Sequence, residues 1–290
     1  MTLASLSLVC LAACLHAGWN LLAKRAAGVG PVFVFAYNLV SCVAYAPWVI
    51  WLLARGEVHW TRTGVGFVLL GGMIHLAYSL CLQRGYQVAD LSVVYPVARG
   101  TGPMLSTLGA FLILGEMADA RGLAGLGLVV AGILLIATQG RMAVFARPGG
   151  QAGLWWGGAT GGLIAGYTVV DAYAVKALGI RPVVLDWVSN LMRFVLLLPL
   201  VLADPRRAAR AMRGHWWTAL GVGLMSPLSY ILVLAALRDG APLSVVAPMR
   251  EMSMMVGALM GMLILREPVG PVRLAGCAVL VGGVVLLSGG

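Results

Sequence analysis

Apolar residues fill this chain in blocks rather than stripes. Ten runs, near 3–23, 32–54, 64–82, 91–114, 122–139, 153–175, 183–203, 216–237, 243–265 and 270–288, carry almost no charge, and only short polar connections separate them. A helix needs about 20 such residues to cross the hydrocarbon core of a bilayer. The pattern predicts an all-α integral membrane protein of ten transmembrane helices, with nothing outside them long enough to form a soluble domain.

The blocks repeat. LSVVYPVAR at 91–99 returns as LSVVAPMRE at 243–251, and the same offset of 152 residues relates Lys24 to Lys176, Asn38 to Asn190, Pro47 to Pro199, Tyr78 to Tyr230, Ser92 to Ser244 and Pro96 to Pro248. After one residue is lost, an offset of 151 relates Glu116 to Glu267, Leu-Ala-Gly at 123–125 to the same triplet at 274–276, and Gly132 to Gly283. A repeat this long dictates the fold. Residues 1–139 form a first five-helix repeat, 140–152 a connecting loop broken by Pro148 and glycines, and 153–290 a second five-helix repeat. Five is an odd number of crossings, so the second copy enters from the opposite face. Two inverted repeats put a substrate site near the midplane, between the halves.

Composition agrees with a lipid environment: 61% of residues are hydrophobic and 10% charged, where soluble domains carry about 25% charge. Gly153, Gly157 and Gly161, and likewise Gly158, Gly162 and Gly166, are spaced four apart, which lets helix backbones approach closely. The cysteines, Cys10, Cys14, Cys42, Cys81 and Cys277, are odd in number, lie inside spans and lack metal-ligand spacing, so neither a disulfide frame nor a zinc site is expected. No cofactor is implied. Leu-Ala-Ala-Cys at 11–14 has the outline of a lipoprotein cleavage box, but no basic residue precedes its apolar run, and the first span is read as a retained helix.

The net charge of +10 sits in loops and points to topology control rather than nucleic acid. Loop charges in the first half are balanced. In the second, Arg141, Arg147, Arg206, Arg207, Arg210, Arg213, Arg266 and Arg273 fall on one side, against Lys176, Arg181 and Arg238 on the other. That asymmetry places both termini outside the cytoplasm.

Polar residues inside spans are the candidates for function. The first span carries His16, Trp19 and Asn20 on one face, answered in the sixth by Thr160, Tyr167 and Asp171. His16 suits either an interhelical hydrogen bond or a pocket wall. The second span offers Tyr37, Asn38, Ser41 and Tyr45, and the seventh Ser189, Asn190 and Arg193. The third brings His75, Tyr78 and Ser79, and the eighth Ser226, Ser229 and Tyr230. The equivalent tyrosines Tyr78 and Tyr230 read as cavity walls or as interface anchors. In the fourth span Ser92, Tyr95, Arg99 and Ser106 form a stripe, and Pro96 and Pro248 are expected to interrupt their helices at matching points, a pointer to a transporter site.

Of twenty basic residues, only Arg99, Arg193 and Arg250 lie well inside spans, and Glu251 is the clearest intramembrane acid. Arg99 and Glu251 occupy equivalent places in the two halves, which suits a salt bridge. Arg193 and Arg250 are left without an obvious acid, and are expected to form a cationic patch for a carboxylate or phosphonate.

Pro96, Gly115, Glu116, Gly125 and Gly132, the matching Pro248, Glu267, Gly276 and Gly283, and the opening HAGWNLLAKRA at 16–26 resemble the EamA branch of the drug/metabolite transporter superfamily, over the whole chain. The resemblance implies two inverted five-helix repeats rocking about a central cavity lined by the first, third, fourth, sixth, eighth and ninth helices. It also favours Arg250, because anion-transporting relatives use basic residues on later helices. Many members have cytoplasmic termini, against the loop charges here. The expected function is secondary-active transport in a bacterial inner membrane, exporting a small polar, amphipathic or anionic metabolite. Membrane lipid is then its surroundings, nucleic acid is not a partner, and protons are carried by Glu251, Asp171, His16 or His75. No phosphate-binding loop suggests ATP hydrolysis, and no HExxH, GxSxG or paired aspartates suggest an enzyme. The alternative is a lipid-linked flippase or a partner subunit of the same fold.

Overall fold

The computed structural model describes residues 1–58, 60–89, 91–117, 119–146, 149–265 and 270–288, and among them the regular structure is entirely helical. In chain order the helices are α1 (Leu3–Arg25), α2 (Pro31–Ala54), α3 (Arg62–Val88), α4 (Leu91–Ile113), α5 (Ala120–Thr138), α6 (Gly150–Lys176), α7 (Pro182–Ala203), α8 (Pro205–Ala211), α9 (Trp216–Arg238), α10 (Leu243–Arg250), α11 (Met252–Leu265) and α12 (Pro271–Ser288). Seven segments among the described residues are long and apolar enough to cross a membrane. The long helices follow the apolar runs to within a few residues, because the same lack of water that demands apolar side chains also demands internal backbone hydrogen bonding.

Two features depart from the sequence expectation. The short α8 follows Asp204, whose Oδ1 accepts a hydrogen bond from the Arg207 amide at 2.9 Å; Pro205 at its first position needs no amide partner. The other concerns the repeated prolines. α4 runs unbroken through Pro96 and Pro103, whereas the second copy breaks at Glu251, between α10 and α11. There the Glu251 amide donates to Pro248 O and the Met254 amide to Glu251 O, both bonds spanning three residues. Pro96 and Pro248 each remove one donor, and Pro103 removes a second from the copy that stays unbroken, so proline does not by itself decide whether the helix breaks.

The halves meet through patches used twice. Where α5 crosses α12, a Cβ on Gly283 would stand 2.7 Å from Gly125 O, and one on Gly276 would stand 3.0 Å from Gly132 O. Gly125 and Gly276 are repeat equivalents, as are Gly132 and Gly283, so each contact is the other with the copies exchanged. α2 and α7 do the same. Phe35 stacks on Phe194 with ring centroids 4.8 Å apart, and Trp187 Nε1 donates to Cys42 O at 2.8 Å; the 152-residue offset carries Phe35 to Trp187 and Cys42 to Phe194. In both pairs rising numbers on one helix meet falling numbers on the other, so the partners are antiparallel.

α4 and α6 run side by side. A Cβ on Gly153, Gly157 or Gly161 would collide with Val93, Val97 or Thr101 respectively, so this glycine row packs helices as its spacing predicts. The second row does not. Gly158 and Gly162 face open space, and Gly166 meets only Ile74, at 3.6 Å. The repeat equivalents of the packing row are Met1, ahead of α1, and Ser5 and Val9 within it, and α1 packs on α10 and α11 less extensively than α6 packs on α4.

The glycine seam gives a direct test. In Gly276→Val the added atoms meet backbone, Ile136 N at 2.8 Å and Gly132 O at 3.0 Å, and overpacking of this kind costs about 1–3 kcal/mol. Thermal unfolding of the detergent-solubilised protein is expected to fall for Gly276→Val and to hold or rise for Gly127→Ala, whose Cβ meets nothing within 4 Å.

Candidate functional site

A cavity of about 490 Å³ lies among the helices, walled by α1, α2, α3, α4, α6, α7, α9 and α10. α2 and α7 join the six helices that the family resemblance implied. Trp19 and Asn20 near the end of α1, Pro31 and Val34 at the start of α2, Leu80 and Leu82 late in α3, and Leu197 and Leu200 late in α7 all line it, so the cavity reaches one end of the bundle.

The opposite end is tied by ion pairs. Glu116, just past α4, accepts hydrogen bonds from the Leu243 and Ser244 amides at the start of α10, at 2.7 and 2.9 Å, and from the Ser244 hydroxyl at 2.6 Å. Lys176, at the end of α6, reaches the same carboxylate at 3.1 Å. Burial alone would raise the Glu116 carboxyl, but the donors of Ser244, Leu243 and Lys176 outweigh it and hold it below the usual carboxylate range. Arg181 at the start of α7 pairs with Glu57 beyond α2 at this same end. Glu267, the repeat equivalent of Glu116, lies outside the described residues, as does the Ser92 side chain.

Ten of the twelve candidate residues line the cavity: His16, Asn20, His75, Tyr78, Tyr95, Arg99, Asn190, Arg193, Tyr230 and Arg250. Glu251 and Asn38 do not. Glu251 is 1% exposed and lies behind the wall, with Arg99 Nη2 at 2.7 Å from its Oε2 and Arg250 Nε at 3.9 Å from its Oε1. The Arg99 contact is close but off the hydrogen-bonding directions, leaving Oε2 without an aligned donor. Arg99 also donates to Ser253 Oγ at 3.2 Å. The expected salt bridge between equivalent positions is therefore present, and it also joins α4 to the break between α10 and α11. Asn38 is fully buried and turns back on its own helix, donating to Val34 O at 2.9 Å.

Arg193 is not the unmatched cation that its sequence position suggests. Its Nη2 donates to Asn190 Oδ1 at 2.9 Å, and Asn190 Nδ2 donates to Asp186 Oδ2 at 2.7 Å, so an acid lies one amide away on the same helix. Asp186 was the missing partner. It stands near the start of its span, where an acidic residue reads as helix-end chemistry, although it lines the cavity.

Arg250 is different. It is 5% exposed, lines the cavity, and among the described residues makes no hydrogen bond, its nearest acid being the Glu251 that Arg99 already holds. Other donors share the wall. The buried polar atoms of lining residues that have no partner are Trp19 Nε1, Arg99 Nε and Arg250 Nε, all N–H groups.

The remaining wall is aromatic. Tyr167 packs edge-on to Tyr78, at 5.7 Å, and to Tyr230, at 6.2 Å. The equivalent tyrosines have separate roles: both line the cavity, but the Tyr230 hydroxyl is spent on Asp171 at 2.6 Å. His16 meets Trp19 edge-on at 4.9 Å and sits in the pocket wall. Ser106 is buried and bonds within α4, to Pro103 O, leaving Tyr95 and Arg99 as the cavity-facing members of its stripe. Asp171, Asp186, Tyr167, Tyr37, Ser79, Ser226 and Ser229 complete the polar set, Asp171 from behind the wall.

The Arg99 and Glu251 pair should be interdependent. Arg99→Gln leaves a buried carboxylate short of its counterion, and breaking such a pair costs about 3–5 kcal/mol. The thermal stability of Arg99→Gln is expected to fall sharply, and Arg99→Gln combined with Glu251→Gln to recover much of the loss. Additive losses would show that the ion contact carries no coupling.

The family model for the EamA-like transporter family matches residues 3–138 and 151–289. One solved structure, described as "Crystal structure of protein", is similar in fold, with a TM-score of 0.79 at 16% sequence identity over 98% of this chain and 96% of that one. No curated protein matches. The two matched segments are the two halves that the sequence repeat defines, and the chain belongs to the EamA-like transporter family.

Proposed function

We propose that this chain is a secondary-active exporter of a small metabolite bearing an anionic group. It works by alternating access, with ten membrane spans arranged as two inverted repeats and the substrate held between them. The observation that carries this reading is Arg250, a buried guanidinium lining the cavity with no hydrogen-bond partner among the described residues. A charge at such depth costs several kcal/mol, and an anion in the cavity offsets that cost. The partnerless donors Trp19 Nε1 and Arg99 Nε favour an acceptor-bearing cargo, and the tyrosine walls favour one with an apolar body.

The crosswise contacts of α5 with α12 and of α2 with α7 support the inverted arrangement, because a two-fold relation turns one copy into the other. A cavity open at one end and tied at the other by Glu116, Lys176, Glu57 and Arg181 supports alternating access. Basic loops support the orientation: Arg25, Arg84, Arg141, Arg206, Arg207, Arg210, Arg213 and Arg273 lie at the mouth end. By the positive-inside rule this is the cytoplasmic face, where an exporter loads, in a bacterial inner membrane.

Two experiments test the reading. In a thermal-shift screen of the purified protein against carboxylates, amino acids and phosphonates, at least one acid should stabilise it. Arg250→Gln should weaken that acid by about tenfold or more, since a hydrogen bond to a charged group contributes about 1.5–3 kcal/mol. Equal stabilisation of both proteins would remove Arg250 from the site. Separately, alkaline phosphatase fused to either terminus is expected to be active, as the loop charges require. Inactive fusions would reverse the orientation and turn the mouth outward.

A further inference from the structure

Two helices send a side chain to one carboxylate oxygen on a third. Asp171 of α6 is 0% exposed, and its Oδ2 lies 3.0 Å from His75 Nε2 of α3 and 2.6 Å from the Tyr230 hydroxyl of α9. Its Oδ1 has no partner. The His75 ring stacks on Tyr167 with centroids 3.9 Å apart and stands edge-on to Tyr230 at 5.6 Å. His75 and Tyr230 line the cavity, whereas Asp171 does not. The imidazole thus stands between a closed-off carboxylate and a space that a ligand or water can enter.

The charges around this cluster are matched in pairs, with one exception on each side. On α4, Arg99 is held by Glu251. On α7, Arg193 is linked through Asn190 to Asp186. Two charges remain: Asp171 and, on α10, Arg250. The other titratable groups facing the cluster, Tyr78 of α3, Tyr167 of α6, Tyr95 of α4 and His16 of α1, are neutral in their ordinary forms. A carboxylate at this depth with two donors and one empty oxygen is short of compensation. The group touching it can supply a positive charge by taking a proton on its ring, forming an N–H bond and leaving a neutral ion pair. The opposing influence is Arg250, which lines the same cavity and repels an imidazolium. An anion on Arg250 cancels that repulsion.

We propose that His75, Asp171 and Tyr230 form a proton-binding site in which His75 takes up a proton against Asp171, and that this proton and an anion at Arg250 favour each other's binding. The anion half rests on the function proposed above; the proton half rests on the cluster alone. Linkage makes the effect reciprocal. A carrier built this way moves a proton and a monoanion in the same direction, which makes the step electroneutral and couples the metabolite's gradient to the proton gradient.

The test is nuclear magnetic resonance of the ¹⁵N-histidine-labelled full-length protein in lipid, with the His75 signal identified by its loss in His75→Gln. On lowering the pH from about 9 to about 5, a range that brackets ordinary imidazole titration, the wild-type signal should pass from the neutral to the doubly protonated form. In Asp171→Asn it should remain neutral over that range, and in Tyr230→Phe, which keeps both charges, the conversion should persist. A wild-type His75 that stays neutral throughout overturns the site, whether or not the variants fold. Conversion unchanged in Asp171→Asn overturns it too. Acetate or inorganic phosphate, used as anionic probes, should shift the wild-type conversion to higher pH and leave that of Arg250→Gln unmoved. A probe that moves neither protein overturns the anion linkage and leaves the proton site standing, and one that moves both overturns the assignment of the anion to Arg250.

Discussion

Hydrocarbon offers a polar atom nothing to bond to, and that single lack orders this structure from backbone to cavity. It forces the chain into helices whose amides and carbonyls satisfy one another. It leaves close packing, not exclusion of water, to hold the helices together, so α4 with α6 and α5 with α12 are joined where glycine lets backbone meet side chain or backbone. It also makes each internal charge an account of its own. Arg99 answers Glu251, and Arg193 answers Asp186 through Asn190. The places where matching stops, Arg250 and the Asp171 cluster, both border the central cavity.

Much of the scaffold could be read in advance because the bilayer constrains it so tightly. The length of the apolar runs located the long helices, and the crosswise contacts fall where the repeat predicts. The asymmetry was hidden: Pro96 and Pro248 led to interruptions being expected in both copies, and only the second helix breaks, at Glu251. The residues that differ there are Tyr95 against Ala247, Val97 against Met249, Ala98 against Arg250 and Arg99 against Glu251, and the second copy bends at its acid.

The site was legible only in part, and for a related reason. His75 and Asp171 are 96 residues apart, a separation at which no local spacing reveals a contact. Asp186 stands near the start of its span, where an acidic residue is ordinary helix-end chemistry. Yet both acids were marked by the repeat itself. Asp171 stands where the first copy has Trp19, and Asp186 where it has Val34, just as Arg193 answers Ser41 and Arg250 answers Ala98. The four charges inside spans that only the second copy carries at these places, Asp171, Asp186, Arg193 and Arg250, gather at the cavity or just behind its wall. Subtracting one half from the other is therefore a sharper search than scanning either half for motifs.

The seam between α5 and α12 limits how these two helices can shift against each other. Gly125 against Gly283 and Gly132 against Gly276 leave carbonyls where side chains would otherwise stand. Sliding either helix by one residue would drive neighbours such as Leu126 or Leu280 into those gaps, so axial translation is blocked by solid contact. Rolling about the crossing is not, because it keeps both glycine pairs together. The seam is a close contact in locked register, one that resists sliding of α5 along α12 and leaves rotation about the crossing sterically open.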